Sequence, residues 1–313
     1  LRKVGPNRQL YSIISNLPKE RYEIFIITTS VEDKDDSMVG DFESLGAQVV
    51  GFSTSRFGVF LRLINLRKYV VRLNPELIHS HLFRSDLLSR LIGSSYTRVA
   101  TLRNEPSKEL TFKFGKVLGS IFSAVHFSNL RKMEHLVACS RSVQSSYIEM
   151  GMEPKLIYNG VDTERFSPIE KHRSVDGRKV KLGLRPEAIT VLSVGALTRL
   201  KDPVAAIEGV KQAKLEGLDI QLVILGDGNL AETCKASASG TDTFFAGHVA
   251  DVLPYLQVAD IYLSCSYTEG MPNSVLEALS SGVPVCLSAI PQHLEILDID
   301  PRIGESFSLG SDG

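Results

Sequence analysis

Short apolar runs alternate with helix-spaced segments along the chain, a pattern that favours parallel sheets covered on both faces. Residues 22–29 (YEIFIITT) and 47–52 read as strands, 60–73 as a helix, and 77–81, 98–102 and 135–140 as further strands. A polar, charge-rich stretch over 167–181 then interrupts the pattern. A domain boundary is expected there, with an N-terminal domain at 1–168 and a C-terminal domain at 169–313. The second series sets strands at 189–194, 219–225, 243–246 and 260–264, and a final one at 284–287. Helices at 203–215, 231–238, 252–258 and 272–280 separate them. This order predicts an α/β protein of two Rossmann-like domains with a cleft between them, because ligands in such sheets bind beyond the carboxyl ends of strands.

At 313 residues the chain is long enough for each half to bury its own core. Both ends read as cut: the sequence starts at Leu1 in a loop and stops at Gly310-Ser311-Asp312-Gly313. Charge is unevenly divided. Residues 1–168 carry 23 Lys+Arg against 17 Asp+Glu (+6), and residues 169–313 carry 12 against 19 (−7), summing to the net −1. That balance argues against nucleic acid, which needs a concentrated basic patch. It suits an N-terminal half that faces an anionic membrane or a phosphate-bearing acceptor.

Residues 269–284 (EGMPNSVLEALSSGVP) hold the densest chemistry. Pro272 suits a first helical position. The amides of Asn273, Ser274 and Val275 are then unpaired donors at the positive end of a helix, an anion site suited to a diphosphate. Glu269, on the preceding loop, can accept hydrogen bonds from sugar hydroxyls, and Glu277, one turn into the helix, from a ribose diol. An ordinary amphipathic helix with a solvated Glu at each end is the competing reading. Gly270, Pro272, Glu277-Ala278 and Gly282-Val283-Pro284, all in register, favour the anion site.

This stretch resembles the signature of the family 4 retaining glycosyltransferases of the GT-B fold, which is Glu, seven residues, Glu. Asn159-Gly160-Val161-Asp162 with Phe166 is similar to the segment before the interdomain linker in those enzymes. Phe245-Ala246-Gly247-His248-Val249 resembles the strand end beside the nucleotide base, and Ala259-Asp260 with Ser264 the strand leading into the signature. The resemblance implies a hexosyl- or N-acetylhexosaminyl-type transferase that moves a sugar from a nucleotide-diphosphate donor to a glycan acceptor with retention. It also implies a lipid-linked acceptor in surface polysaccharide assembly, and a cytoplasmic protein peripheral to the inner face of a membrane. Two alternatives stay open: a non-catalytic GT-B-like subunit that binds nucleotide-sugar, and a nucleotide-sugar epimerase of the same fold.

Negative charge builds on the leaving diphosphate when a sugar–phosphate bond breaks, so cations and amide donors placed there stabilise the transition state. Strand 189–194 runs into Gly195-Ala196-Leu197-Thr198-Arg199-Leu200-Lys201. The resemblance puts Lys201 on the diphosphate. Where relatives carry Arg directly after the glycine this chain has Ala196, and Arg199 is the substitute cation. Gly270, Met271, Pro272, Asn273 and Ser274 back the phosphates. Gly226, Gly247, His248 and Val249 line the nucleotide end. His81, at the exit of its strand, is implied to act at the transferring sugar, with Glu269 holding that sugar. His79 reads as structural, and Arg103 and Asn104 are candidates for the acceptor. Gly5, in the loop before the first helix, stands where relatives bring bare backbone to the donor phosphates; a plain turn glycine is the equal alternative.

Gly226-Asp227-Gly228-Asn229-Leu230-Ala231 fits a dinucleotide fingerprint in form, but it follows the second strand of its series and no acidic residue closes the next strand. No cofactor is expected, and no metal, since Lys201 and the helix terminus can take over a cation's role. Asp33, Asp35 and Asp36 read as a solvated loop rather than a metal-binding pair. Cys139, Cys234, Cys265 and Cys286 are scattered, as buried thiols of a reducing compartment would be. Residues 107–132 combine Phe112, Phe114, Leu118, Ile121, Phe122, Val125 and Phe127 with Lys108, Lys113, Lys116, Arg131 and Lys132. Such a segment either lies on an anionic membrane surface or packs on its own domain.

Overall fold

The computed structural model describes residues 1–310 apart from 30, 33–35, 53–58, 93–94 and 170–174. It divides into two compact units, Leu1–Gly160 and Val161–Gly313, so the second unit begins ahead of the polar stretch. Asp33 and Asp35 lie outside the described residues, while Asp36 accepts the amide of Lys3 at 3.1 Å.

Unit 1 runs α1 (Gly5–Ser15), β1 (Phe25–Thr28), α2 (Val39–Ser44), β2 (Gln48–Gly51), α3 (Val59–Leu73), β3 (Leu77–His81), α4 (Phe83–Ile92), β4 (Thr97–Leu102), α5 (Pro106–Phe114), α6 (Lys116–Leu130), β5 (His135–Ala138), α7 (Arg141–Glu149) and β6 (Lys155–Leu156). Strands β1 and β2 pair in parallel, and β3-β4-β5-β6 form a four-stranded parallel sheet. Gly5 is the first residue of α1 rather than part of a loop before it. The 107–132 segment is two helices broken at Gly115, whose φ of +81° a side chain would resist. They pack closely because a Cβ on Gly119 would collide with the backbone of Thr111.

Unit 2 runs α8 (Val175–Lys181), β7 (Ile189–Val194), α9 (Pro203–Leu215), β8 (Ile220–Leu225), α10 (Ala231–Ser237), β9 (Thr243–Gly247), α11 (Leu253–Leu256), β10 (Ile261–Ser264), α12 (Asn273–Ser280), β11 (Val285–Ser288), α13 (Pro291–Leu297) and β12 (Gly304–Phe307). The strand at 285–288 is therefore not the last; β12 adds an edge beyond it. All six strands are parallel, in the order β9-β8-β7-β10-β11-β12. That is the doubly wound order of a nucleotide-binding sheet, with its reversal between β7 and β10. Every residue of β8 is buried, as helices on both faces require. Residues 175–181 of the charged stretch form α8, where Lys179 turns inward, donating to the carbonyl of Ala188 at 2.9 Å and to Asp260 at 3.1 Å. Asp260 also accepts the amide of Thr190 at 2.8 Å, so the Ala-Asp pair before β10 ties the sheet together.

Candidate functional site

The carboxyl ends of β7, β8 and β9 are stitched together by glycines. The Gly195 amide donates to the Leu225 carbonyl at 2.9 Å, and the Gly226 amide to Gly247 at 2.7 Å. Gly226, at φ +140°, can only be glycine, since a Cβ there would collide with the carbonyl of Gly195. Its bare face is thus spent on strand packing. Gly195 leaves space for the Lys201 stem, whose Cγ and Cδ would lie 3.7 Å from a Cβ at that position.

Two loops meet where the strand order reverses. The loop after β7 carries Lys201, and the loop after β10 carries Glu269; the Tyr267 amide joins them by donating to Leu200 O at 2.9 Å. Lys201 Nζ donates to Glu269 Oε1, and Ser266 Oγ donates to the same oxygen at 2.7 Å. Glu269 is buried, with 8% of its surface exposed. Burial pushes its pKa up, but the Lys201 ammonium, the Ser266 hydroxyl and the nearby His293 outweigh it, and the net shift is downward. Glu269 is therefore a carboxylate at neutral pH.

The helix after this loop starts one residue later than its sequence suggests. Pro272 is the N-cap, in an extended conformation, not the first helical residue. Its carbonyl accepts from Val275 at 3.1 Å and from Leu276 at 3.2 Å, so the Val275 amide is already engaged. Gly270, Met271 and Pro272 are buried, and Asn273, Ser274 and Glu277 are half-buried. The first turn is anchored from beneath by Tyr262 of β10, whose hydroxyl donates to Ser274 Oγ at 2.7 Å.

Four residues in this region escaped the sequence: Tyr262, Ser266, Ser288 and His293. Ser288, at the end of β11, donates its hydroxyl to the Ser266 carbonyl at 2.6 Å and so braces the Glu269 loop. His293, on α13, is fully buried, and its Nδ1 lies 2.9 Å from the Ser288 carbonyl. The only signal was position, since Ser288 ends a strand and His293 lies on the helix that follows it, in a sheet of this kind.

In unit 1, His81 closes β3. Its Nδ1 faces Arg103, with Nη2 at 3.2 Å and Nε at 3.4 Å. An arginine only donates, so Nδ1 accepts and the ring proton sits on Nε2, which is buried without a partner among the described residues. Burial, then His79 and Arg103, push the pKa of His81 well down, so the ring is neutral. His79 stacks on it with ring centroids 4.2 Å apart and bonds Thr101 Oγ1 at 2.7 Å. Beneath them Ser80 and His126 share Asp86, at 2.6 and 2.9 Å. Arg103 is thus buried against His81, and Asn104 donates to Glu109 at 3.0 Å.

Backbone strain marks the same places. Among the described residues three non-glycines have positive φ, and two of them directly follow candidate residues: Leu82 (+75°) after His81, and Asp202 (+42°) after Lys201. Strain of this kind is held only where the surroundings over-determine it. Asp202 turns it to use by capping α9, accepting from the Ala205 amide at 3.2 Å. Arg199 is exposed on the Lys201 loop, and His248 and half-buried Val249 follow Gly247 (φ +68°) past β9.

Comparison with known proteins matches both units. The Glycosyltransferase Family 4 model covers residues 5–165, and the model for Glycosyl transferases group 1 covers 188–302. The O-antigen biosynthesis glycosyltransferase WclY of Escherichia coli is 25% identical over 307 residues, 95% of this chain and 80% of WclY. A UDP-Gal:alpha-D-GlcNAc-diphosphoundecaprenol alpha-1,3-galactosyltransferase of the same organism is 26% identical over 289 residues, 88% of this chain and 73% of that enzyme. Among solved structures, Anabaena HepE in complex with UDP and glucose superposes with a TM-score of 0.79 at 17% identity, over 98% of this chain and 83% of HepE. Sucrose-phosphate synthase from Thermosynechococcus elongatus gives 0.77 at 16% identity, over 97% of this chain and 80% of the synthase. These likenesses show the GT-B fold. With the first family model spanning 161 of 313 residues, the chain belongs to glycosyltransferase family 4.

Proposed function

We propose that this glycosyltransferase takes a hexosyl or N-acetylhexosaminyl group from a nucleoside-diphosphate sugar and passes it, with retention, to a lipid-linked glycan in surface polysaccharide assembly. The observation that carries the reading is the Lys201–Glu269 pair at the reversal point of the unit 2 sheet. A buried carboxylate held ionised beside a lysine offers both halves of what a sugar diphosphate needs. Glu269 accepts from sugar hydroxyls, and Lys201 moves from the carboxylate to the charge growing on the leaving diphosphate. The amides of Gly270, Met271, Asn273 and Ser274 add donors, Arg199 a second cation, and Glu277 an acceptor for the ribose. His81 offers its Nε2–H to a substrate oxygen. With no second carboxylate assigned to the reacting carbon, we infer front-face displacement assisted by the leaving phosphate.

Support for the donor and acceptor classes comes from relatives. HepE is solved with UDP and with UDP-glucose, and the galactosyltransferase is named for a UDP-sugar donor and a diphosphoundecaprenol-linked acceptor. No helix among the described residues is long and apolar enough to cross a membrane. We place the chain at the inner face through α5 and α6, where Val117, Leu118, Ile121 and Val125 are exposed beside Lys113 and Lys116. UDP release from UDP-glucose and UDP-galactose, with and without a short-chain GlcNAc-diphosphopolyprenol, tests the reading. Acceptor-dependent release supports transfer. Conversion of the sugar without acceptor would identify an epimerase, and binding with no turnover a non-catalytic subunit.

A further inference from the structure

His293 is a fully buried polar group near the Lys201–Glu269 pair, and half of it is unused. Its Nδ1 lies 2.9 Å from the carbonyl of Ser288 and 3.1 Å from that residue's hydroxyl. A carbonyl oxygen can only accept, so Nδ1 carries the ring proton. The Ser288 hydroxyl spends its own proton on the Ser266 carbonyl, which leaves it as a second acceptor for the same N–H. In the neutral ring Nε2 is therefore a bare lone pair, able only to accept. It is buried with no partner among the described residues, and so is the hydroxyl of Thr268, the neighbour of Glu269. Glu269 and Lys201 both lie within electrostatic reach of the ring. A buried acceptor without a donor is costly, and such groups are rare unless a ligand or an ordered water completes them.

We propose that His293 is a specificity-determining residue, whose Nε2 accepts a hydrogen bond from a hydroxyl of the donor sugar while Glu269 holds another. The inference rests on the reading that the sugar sits at Glu269. The geometry suits it: Ser288 fixes the ring from behind, Ser266 links the Ser288 hydroxyl to the loop of Glu269, and the free nitrogen is the one not tied to the scaffold. A site that leaves an acceptor unpaired when a hydroxyl is missing rejects the deoxy sugar strongly.

The test compares kcat/KM for UDP-glucose and UDP-galactose with their singly deoxygenated analogues, in wild type and in His293→Asn. Asparagine keeps an N–H at the place of Nδ1 for the Ser288 carbonyl and has nothing at the place of Nε2. In the wild type one deoxy position should cost on the order of 10- to 100-fold. In His293→Asn the parent donor should fall by a similar factor, that one penalty should vanish, and UDP affinity should be unchanged. Wild-type kcat/KM with every deoxy penalty retained would overturn the inference. Because the variant could fold poorly, ring nitrogen resonances of the wild type give a second reading. The pyridine-type Nε2 signal of His293 should move upfield on adding the UDP-sugar and stay in place with UDP alone; an unmoved signal with bound UDP-sugar also overturns it. Glu269→Gln in the same assay separates the two levels. If it turns over like wild type, the donor-site reading fails; if it collapses while His293→Asn is normal, only the role of His293 fails.

Discussion

Lys201 and Glu269, 68 positions apart in sequence, form an ion pair across the two loops that flank the strand-order reversal of the unit 2 sheet. Glu269 has most of its surface removed from water, whereas the Lys201 side chain keeps 31% of its own. The pair is therefore asymmetric. The carboxylate depends on its partner, while the ammonium can leave for a better anion.

That asymmetry gives the first prediction. Lys201→Met leaves Glu269 a buried carboxylate with Ser266 as its remaining hydrogen-bond donor. Unfolding free energy should drop by about 2 kcal/mol, below the roughly 3–5 kcal/mol of a fully buried pair because Lys201 is partly solvated. Adding Glu269→Gln should restore most of the loss in a denaturant-melt double-mutant cycle. Additive losses in the cycle would mean that the two residues are not energetically coupled.

Gly226→Ala should be among the most damaging single substitutions in unit 2. The new methyl would meet the Gly195 carbonyl at a backbone angle that side chains resist. A loss of about 3 kcal/mol or more is expected. Gly195→Ala, whose methyl meets only the flexible Lys201 stem at ordinary contact distance, should be mild. Comparable melting temperatures for the two variants would contradict this ordering.

Acid should destabilise the fold in two stages. His79, His81 and His293 all have folded pKa values held below the usual 6.5, with burial the largest cause in each. The unfolded chain binds their protons first, so the stability they contribute is complete above about pH 6.5 and falls as the pH drops below it. Glu269, held below its usual 4.5, adds a second loss as the pH falls beneath that value. Urea midpoints should decline between pH 7 and 5.5, less steeply in His81→Gln. A flat profile across that range would refute the neutral state of these rings.

The exposed apolar face of α6 should bind lipid. Vesicles containing anionic phospholipid should sediment the wild type, and Lys113→Glu with Lys116→Glu should weaken that several-fold, more so at low salt. Equal partition between neutral and anionic vesicles would remove charge from the account, and no partition at all would remove the membrane.

The fold was legible where period and punctuation agree. β3 and β7 sit where alternation predicts them, and the pairing of strand ends with Gly195, Gly226 and Gly247 follows from glycines after apolar runs. The second edge of the sheet was missed because β12 reads GESF, with no apolar alternation to betray it. Pro272 misled by one residue: proline tolerates a first helical turn, but its extended ψ of 103° makes it the cap. In the site, Lys201 and Glu269 could be named from sequence, yet their direct contact could not, because it depends on which strands neighbour each other. His293 was invisible for the same reason. A histidine amid PQHLEIL looks like any helix residue until β11 is laid beside β10.

The most direct test of the central claim is the affinity of UDP for wild type, Lys201→Met and Glu269→Gln, measured by calorimetry beside donor turnover. The account predicts that Lys201→Met weakens UDP about tenfold or more, the scale of a lost charge-assisted contact. Glu269→Gln should bind UDP at least as tightly as wild type, its lysine released, while turnover collapses by orders of magnitude. Unchanged UDP affinity in Lys201→Met, together with normal turnover in Glu269→Gln, would contradict it.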